Sequence, residues 1–253
     1  MIGEWGLTHS IVLVFVLGFV AQLVDGALGM AFGVMASTGL MTLGLSPAAA
    51  SAVVHTAEIA TTGVSGLSHA WYRNIDWRLF RRLAVAGVVG GICGALLLSH
   101  VNAKIIQPFV AAYLLLMGTS ILIRAFKMVP VKDATTAHAT PLGLVGGFLD
   151  AIGGGGWGAM VTSTLIGSGH APRQVIGTVS ASEFCVTVAI AVAFFTQLGL
   201  SHVSYILALI AGGLLAAPFG AVVAGRVRPR PLMITVGLLV SFLALLQLWR
   251  SLS

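Results

Sequence analysis

Apolar runs follow one another along the chain with almost no charge inside them. They cover about 7–24, 30–44, 47–70, 79–100 and 104–124, and after a polar stretch 141–152, 156–168, 172–198, 203–225 and 231–249. Several approach or exceed the roughly 18–20 residues that an α-helix needs to cross a bilayer core. The pattern predicts an all-α polytopic membrane protein with five helical segments in each half. In each half the first two segments are short and joined through glycine: Gly26, Gly29 and Gly33 in the first, Gly153 to Gly156 and Gly158 in the second. Glycine-rich backbone within apolar sequence reads as a helix break, tolerated in a membrane where protein or a water-filled cavity covers it. Pro47 and Pro172 open the third segment of each half, the favoured first-turn position for proline.

The two halves repeat one another without a gap. Shifting the chain by 125 brings Asp25 onto Asp150, Gly29 onto Gly154, Gly33 onto Gly158, Gly44 onto Gly169, Pro47 onto Pro172 and Glu58 onto Glu183. Gly18/Gly143, Met35/Met160, Leu40/Leu165 and Thr62/Thr187 agree in the same register. The chain is an internal duplication, with expected boundaries of 1–126 for the first repeat, 127–140 for a cytoplasmic connector and 141–253 for the second repeat.

Basic residues then assign direction. The link between segments three and four holds Arg73, Arg78, Arg81 and Arg82, and its counterpart near Gly199 to His202 holds none. The next link reverses this, with Lys104 alone in the first half and Arg226, Arg228 and Arg230 in the second. Arg124, Lys127 and Lys132 mark the central connector. Under the positive-inside rule, equivalent links face opposite sides, both termini lie outside, and the repeats have inverted topology. Each glycine-broken pair is either a re-entrant hairpin or two thin crossings. Arg250 is the discordant charge. Trp5, Trp71, Trp77 and Trp249 read as interfacial anchors.

Composition narrows the class further. At 58% hydrophobic and 8% charged, the chain is far from the roughly 25% charge of a soluble domain. The net charge of +6 follows helix ends and implies no nucleic-acid partner. Cys93 and Cys185 fall inside predicted helices, which argues against a disulfide. The opening MIGEWGLTHS lacks the basic region of a cleaved signal peptide, so the first segment belongs to the fold. No GxxxxGK[ST] loop for ATP is present, and no cofactor or metal is expected.

Of the seven acids, four sit within apolar sequence: Asp25, Glu58, Asp150 and Glu183. Glu58 and Glu183 each follow their proline by eleven residues, which at ~1.5 Å per residue is ~16 Å, half of a ~30 Å core. A carboxylate at that depth costs ~3 kcal/mol or more and faces a cavity or a partner. Ser51, His55, Glu58, Thr62, Ser65 and His69 form a polar stripe on segment three, and segment eight repeats its middle as Ser180, Glu183 and Thr187. For the hydroxyls, an interhelical hydrogen-bond seam fits equally well. His55, one turn from Glu58, is either its proton partner or a satisfied buried histidine.

The helix starts after Gly29 and Gly154 offer unpaired N–H groups and positive dipole ends, a site for an anion that needs no lysine. Candidate contacts are Gly29, Gly33, Gly154, Gly155 and Gly158, with Ser37, Thr38, Thr162 and Ser163 just downstream and His55 and Ser180 on the facing helices. Each glycine alone fits close packing as well. Asp25 and Asp150, just before the breaks, are either caps for the broken helices or proton-coupling groups beside Glu58 and Glu183. Gly87, Gly90, Gly91 and Gly94, echoed by Gly212, Gly213 and Gly220, read as close helix packing.

GVSG at Gly63–Gly66 matches the nucleophile pattern of intramembrane serine proteases, with His69 or His100 as base. Four residues are a weak match, and Ser65 is also one step of the polar stripe.

Two copies of a glycine-rich segment followed by a proline-opened helix stand in the chain as VDGALGMAFG with LSPAAASAVVHTAE, and LDAIGGGGWG with HAPRQVIGTVSASE. At these residues the chain resembles the TauE/SafE family of membrane transporters. The second copy keeps the family's glycine run, whereas the first reads Ala27-Leu28-Gly29-Met30-Ala31. The resemblance implies proton-linked export of a small sulfur-containing anion such as sulfite or an organosulfonate, across a bacterial-type inner membrane, by a protein that is not an enzyme. Small-xxx-small faces permit a homodimer. A Na⁺ or divalent-cation transporter and a passive anion channel would use the same acids and cavity.

Overall fold

The computed structural model describes the backbone of residues 4–126, 138–226 and 229–252. Lys127 and Lys132, most of the expected connector and Arg228 lie outside the described residues, as do the side chains of Glu4, Trp5, Gly220 and Arg226. Ten helical segments follow in order: α1 (Glu4–Leu28), α2 (Phe32–Thr42), α3 (Pro47–Trp71), α4 (Trp77–His100), α5 (Ala103–Arg124), α6 (Ala139–Gly153), α7 (Gly158–Gly167), α8 (Pro172–Leu198), α9 (Val203–Arg226) and α10 (Pro229–Leu252). Segment α7 opens as a π-helical turn, Gly158–Thr162, and continues as α-helix.

The protein is an all-α, multi-pass integral membrane protein. Among the described residues, five helices are long and apolar enough to cross a bilayer: His9–Leu28 within α1, α4, α5, Arg173–Leu198 within α8 and Arg230–Leu252 within α10. Helix α3 is just as long, at 25 residues, but its polar stripe keeps it below that level of hydropathy. Val85, Val89 and Leu97 of α4 and Val12, Leu13 and Val16 of α1 point outward, as lipid-facing side chains must. Trp71, Trp77 and Trp249 are exposed near helix ends, where a membrane surface would hold them. Cys93 and Cys185 are free thiols.

Two pairs of glycines that match in the sequence repeat share a backbone conformation. Gly29 and Gly154 turn with φ of 69° and 68°, and Gly44 and Gly169 with 98° and 96°. These are left-handed conformations that favour glycine over residues with a Cβ. Ser46 caps α3 through the Ala49 N–H, and Asp76 caps α4 through Arg78 and Leu79.

Packing exchanges partners between the repeats. Helix α1 lies along α9 and α6 along α4, while α3 packs on α8 and α5 on α10. The halves are therefore interwoven. The glycines of α4 make this possible on two sides: a Cβ on Gly94 would meet the Phe148 carbonyl 2.5 Å away on α6, and one on Gly91 would meet Ile190 at 2.7 Å on α8. Gly18 of α1 and Gly143 of α6 each lie against a partner backbone, at Leu209 and Leu83. The expected glycine packing is thus seen at α4, Gly212 and Gly213.

Candidate functional site

The two glycine tips meet in the centre. A Cβ on Gly33 would stand 2.6 Å from the Gly155 Cα and 2.8 Å from Glu58 Oε1, and one on Gly158 would stand 3.1 Å from the Met30 Cα. Backbone therefore touches backbone where α2 and α7 begin.

Each tip is tied by its own aspartate in the same way. Asp25 Oδ1 accepts from the N–H groups of Ala31 (2.7 Å) and Phe32 (3.2 Å). Asp150 Oδ1 accepts from the Trp157 N–H at 2.8 Å, and Trp157 is the repeat counterpart of Phe32. Both aspartates cap the helix that restarts across the break, satisfying donors that the hydrocarbon region would otherwise leave bare.

Their remaining surroundings differ. Asp150 is 1% exposed and its Oδ2 lies 3.2 Å from His55 Nε2. On the other ring edge, His55 Nδ1 is 2.8 Å from the Ser51 carbonyl, which can only accept, so Nδ1 carries a hydrogen. Nε2 then faces the Asp150 carboxyl within hydrogen-bond distance. Ser51 Oγ donates to the Ala151 carbonyl at 2.6 Å, fastening α3 to α6. His55 thus pairs with Asp150, ninety-five residues away, and not with Glu58. In the other repeat, Ser180 replaces His55 and lines a cavity together with Asp25.

That cavity, of about 30 Å³, has room for a water or two. It is lined by Gln22 and Asp25 of α1, the start of α2 from Phe32 to Val34, Glu58, Thr61, Thr62 and Ser65 of α3, Gly158 at the start of α7, and Ser180 and Glu183 of α8. Glu58 is 3% exposed and its Oε2 is buried with no hydrogen-bond partner, as is Gln22 Oε1. Glu183 is half-buried and faces the Gly158 N–H. Neither Lys nor Arg lines the space.

Of the expected contacts, the fold brings together Gly33, Gly158 and Ser180 with Asp25, Glu58 and Glu183. The others lie elsewhere. Ser37 donates to the Gly154 carbonyl, Thr38 to Val34, and Ser163 to Ala159 and Met160. Thr162 is buried with an unpartnered hydroxyl. Gly154 and Gly155 are packed against Ser37, Ser51 and Gly33, and Gly29 against Ile176. Gln22, Thr61 and Met30 were absent from the expected set. Gln22 carries a legible signal, a lone amide one helical turn before Asp25, whereas nothing in the sequence marks Met30.

The protease pattern finds no base. His69 faces the Asn74 amide at 3.4 Å, His100 faces the Leu96 carbonyl, and no imidazole among the described residues is hydrogen-bonded to Ser65. Nor do three or more His, Cys, Asp or Glu side chains converge as a metal cluster among the described residues.

The Asp150 arrangement yields an expected result. Asp150→Ala would strip partners from the buried Trp157 N–H and from His55, a loss of about 2–5 kcal/mol in stability. Asp150→Asn keeps the shape and should recover part of it. Asp25→Ala, at a more open site, should cost less. Thermal melting of the purified variants in one detergent gives the order.

Interrupted helices and buried acids around a small cavity, in a bundle of helices apolar enough to cross a membrane, fit a membrane transporter. Comparison with known proteins agrees. The family model "Sulfite exporter TauE/SafE" matches residues 14–246, and the chain belongs to that family. It is 38% identical over 251 residues to "Probable membrane transporter protein YtnM" of Bacillus subtilis (strain 168), covering 94% of this chain and 83% of that protein. No solved structure matches.

Proposed function

We propose that this transporter is a proton-coupled exporter of a small sulfur-containing anion, sulfite or an organosulfonate, in a bacterial-type inner membrane. The observation that carries the reading is the central cavity, where Glu58 and Glu183 from equivalent helices meet the starts of α2 and α7. Beyond the two N–H groups that Asp25 takes, the α2 start offers those of Gly33 and Val34 to the anion, and the two glutamates carry protons. Inverted repeats with both termini outside fit the placement of basic residues. Because α1 pairs with α9 and α6 with α4, alternating access would rock these mixed bundles about the cavity, not one sequence half against the other.

A cation reading has one observation in its favour: the cavity is lined by acids and by no base. Purified protein in proteoliposomes separates the two. Labelled sulfite, a short alkyl sulfonate, sulfate and Na⁺ are offered in turn, with and without a pH gradient. Accumulation of a sulfur anion that depends on the gradient supports the proposal. Flux of Na⁺ alone moves the assignment to a cation, and anion flux indifferent to the gradient removes the coupling.

A further inference from the structure

Beside the central cavity lies a larger one, of about 670 Å³, between the second half of α5, α7 and the start of α10. Its lining is mainly apolar, with Leu116, Ile123 and Ile166, and within it Thr119, Ser120 and Ser163 bring hydroxyls and Arg124 the charge. Met30 lines both cavities. It stands at the tip between α1 and α2, so its flexible thioether side chain lies at the boundary of the two. The half-buried Arg124 guanidinium donates to Met30 Sδ at 3.4 Å, and no carboxylate among the described residues is within ion-pair distance of it. A thioether is a weak acceptor, and a partly buried charge without a counter-ion is costly. Arg230, its guanidinium 4.7 Å over the Phe126 ring, adds a second cation at the same end of the bundle. The repeat counterparts of Met30 and Arg124 are Gly155 and Trp249, so the pair exists on one side of the molecule only.

We infer that this space is an anion vestibule. Arg124 holds a small oxyanion of the sulfite or sulfonate kind there, and Met30 is the gate through which it enters the central cavity. The inference rests on the anion reading above for its physiological ligand, but the electrostatics of the vestibule can be measured without transport. An exporter collects its substrate from the cytoplasm, and the Arg124 end is the end that the positive-inside rule assigns to that side.

The test uses full-length protein with Cys93 and Cys185 replaced by alanine and a single Ser120→Cys, reconstituted in phosphatidylcholine vesicles. Two thiosulfonate reagents of matched size are applied, one ending in a sulfonate and one in a trimethylammonium. Relative to a free thiol in solution, the sulfonate reagent should be favoured by about tenfold, the low end of electrostatic focusing in a charged cleft. Arg124→Gln should abolish that preference and Arg124→Lys should retain it. A Ser65→Cys thiol in the central cavity should react several-fold faster when Met30→Ala opens the partition. A preference unchanged by Arg124→Gln, or a Ser120→Cys thiol that never reacts, would overturn the vestibule. Loss of the preference when phosphatidylglycerol is added would assign Arg124 to a lipid headgroup and overturn it equally. Ser65→Cys rates indifferent to Met30→Ala would overturn the gate. No substrate or pH gradient enters these measurements, so a failed anion-transport assay and a failed vestibule are told apart.

Discussion

Glu58→Gln and Glu183→Gln, singly, are expected to end accumulation driven by a pH gradient while leaving exchange of labelled for unlabelled anion measurable. Glutamine keeps the volume of the protonated acid and one carbonyl acceptor, but it cannot take up or release a proton. Glu58 Oε2 is buried without a partner, and Glu183 faces the start of α7, so both lie where a bound anion and a bound proton would feel one another. For each proton coupled to an anion, one pH unit is worth about 1.4 kcal/mol, a tenfold concentration ratio at equilibrium. The wild type should therefore hold a ratio that rises about tenfold per proton per pH unit, and each variant should relax to equal concentrations. Proteoliposomes loaded with a pH-sensitive dye report the proton flux, and the labelled anion retained on filters reports accumulation and exchange. A variant that still builds the full gradient would remove that glutamate from the coupling, and one that loses exchange as well would place it in the anion site itself.

Gly155→Ala should be among the most damaging single-methyl changes at the described glycines. Gly155 has φ +134°, and its Cβ would run into the carbonyl carbon and Cα of Gly33. The backbone strain costs ~1–3 kcal/mol. Overpacking against backbone that cannot turn aside adds ~1–3 kcal/mol. Together, roughly 2–6 kcal/mol would fall on the contact between the two glycine tips. Gly33→Ala should behave alike, since its Cβ meets both Gly155 and Glu58 Oε1. Gly167→Ala serves as the control, being at the end of α7 with nothing within 4 Å of the added methyl. Melting temperature and monodispersity in detergent should separate the first two from the third. A Gly155→Ala protein with unchanged melting would show that the two tips do not touch.

Much of this was legible because membranes write structure in one dimension. Hydrocarbon forces helices and penalises charge, so the spans, the glycine breaks and the proline starts follow from residue type and spacing. The duplication supplied a check on each of them, and the paired φ values at Gly29/Gly154 and Gly44/Gly169 repeat it in three dimensions. The glycines themselves were ambiguous. The same residue serves a cradle or a close contact, and only the meeting of Gly33 with Gly155 decides for contact there.

The sequence by itself determined that the chain is a bundle of membrane-crossing helices, made of two copies, with four acids in apolar surroundings. These are local consequences of hydropathy and helix rise. Which of the acids meet was decided by the tertiary structure alone. Helical periodicity sets His55 beside Glu58, yet its imidazole turns to Asp150 on α6, because α3 and α6 are fastened through Ser51 and Ala151. The exchange of α1 and α6 between halves, the shared wall at Met30 and the placing of Arg124 next to it all arise from contacts between residues far apart in the chain. Spacing along one helix carries no record of such contacts.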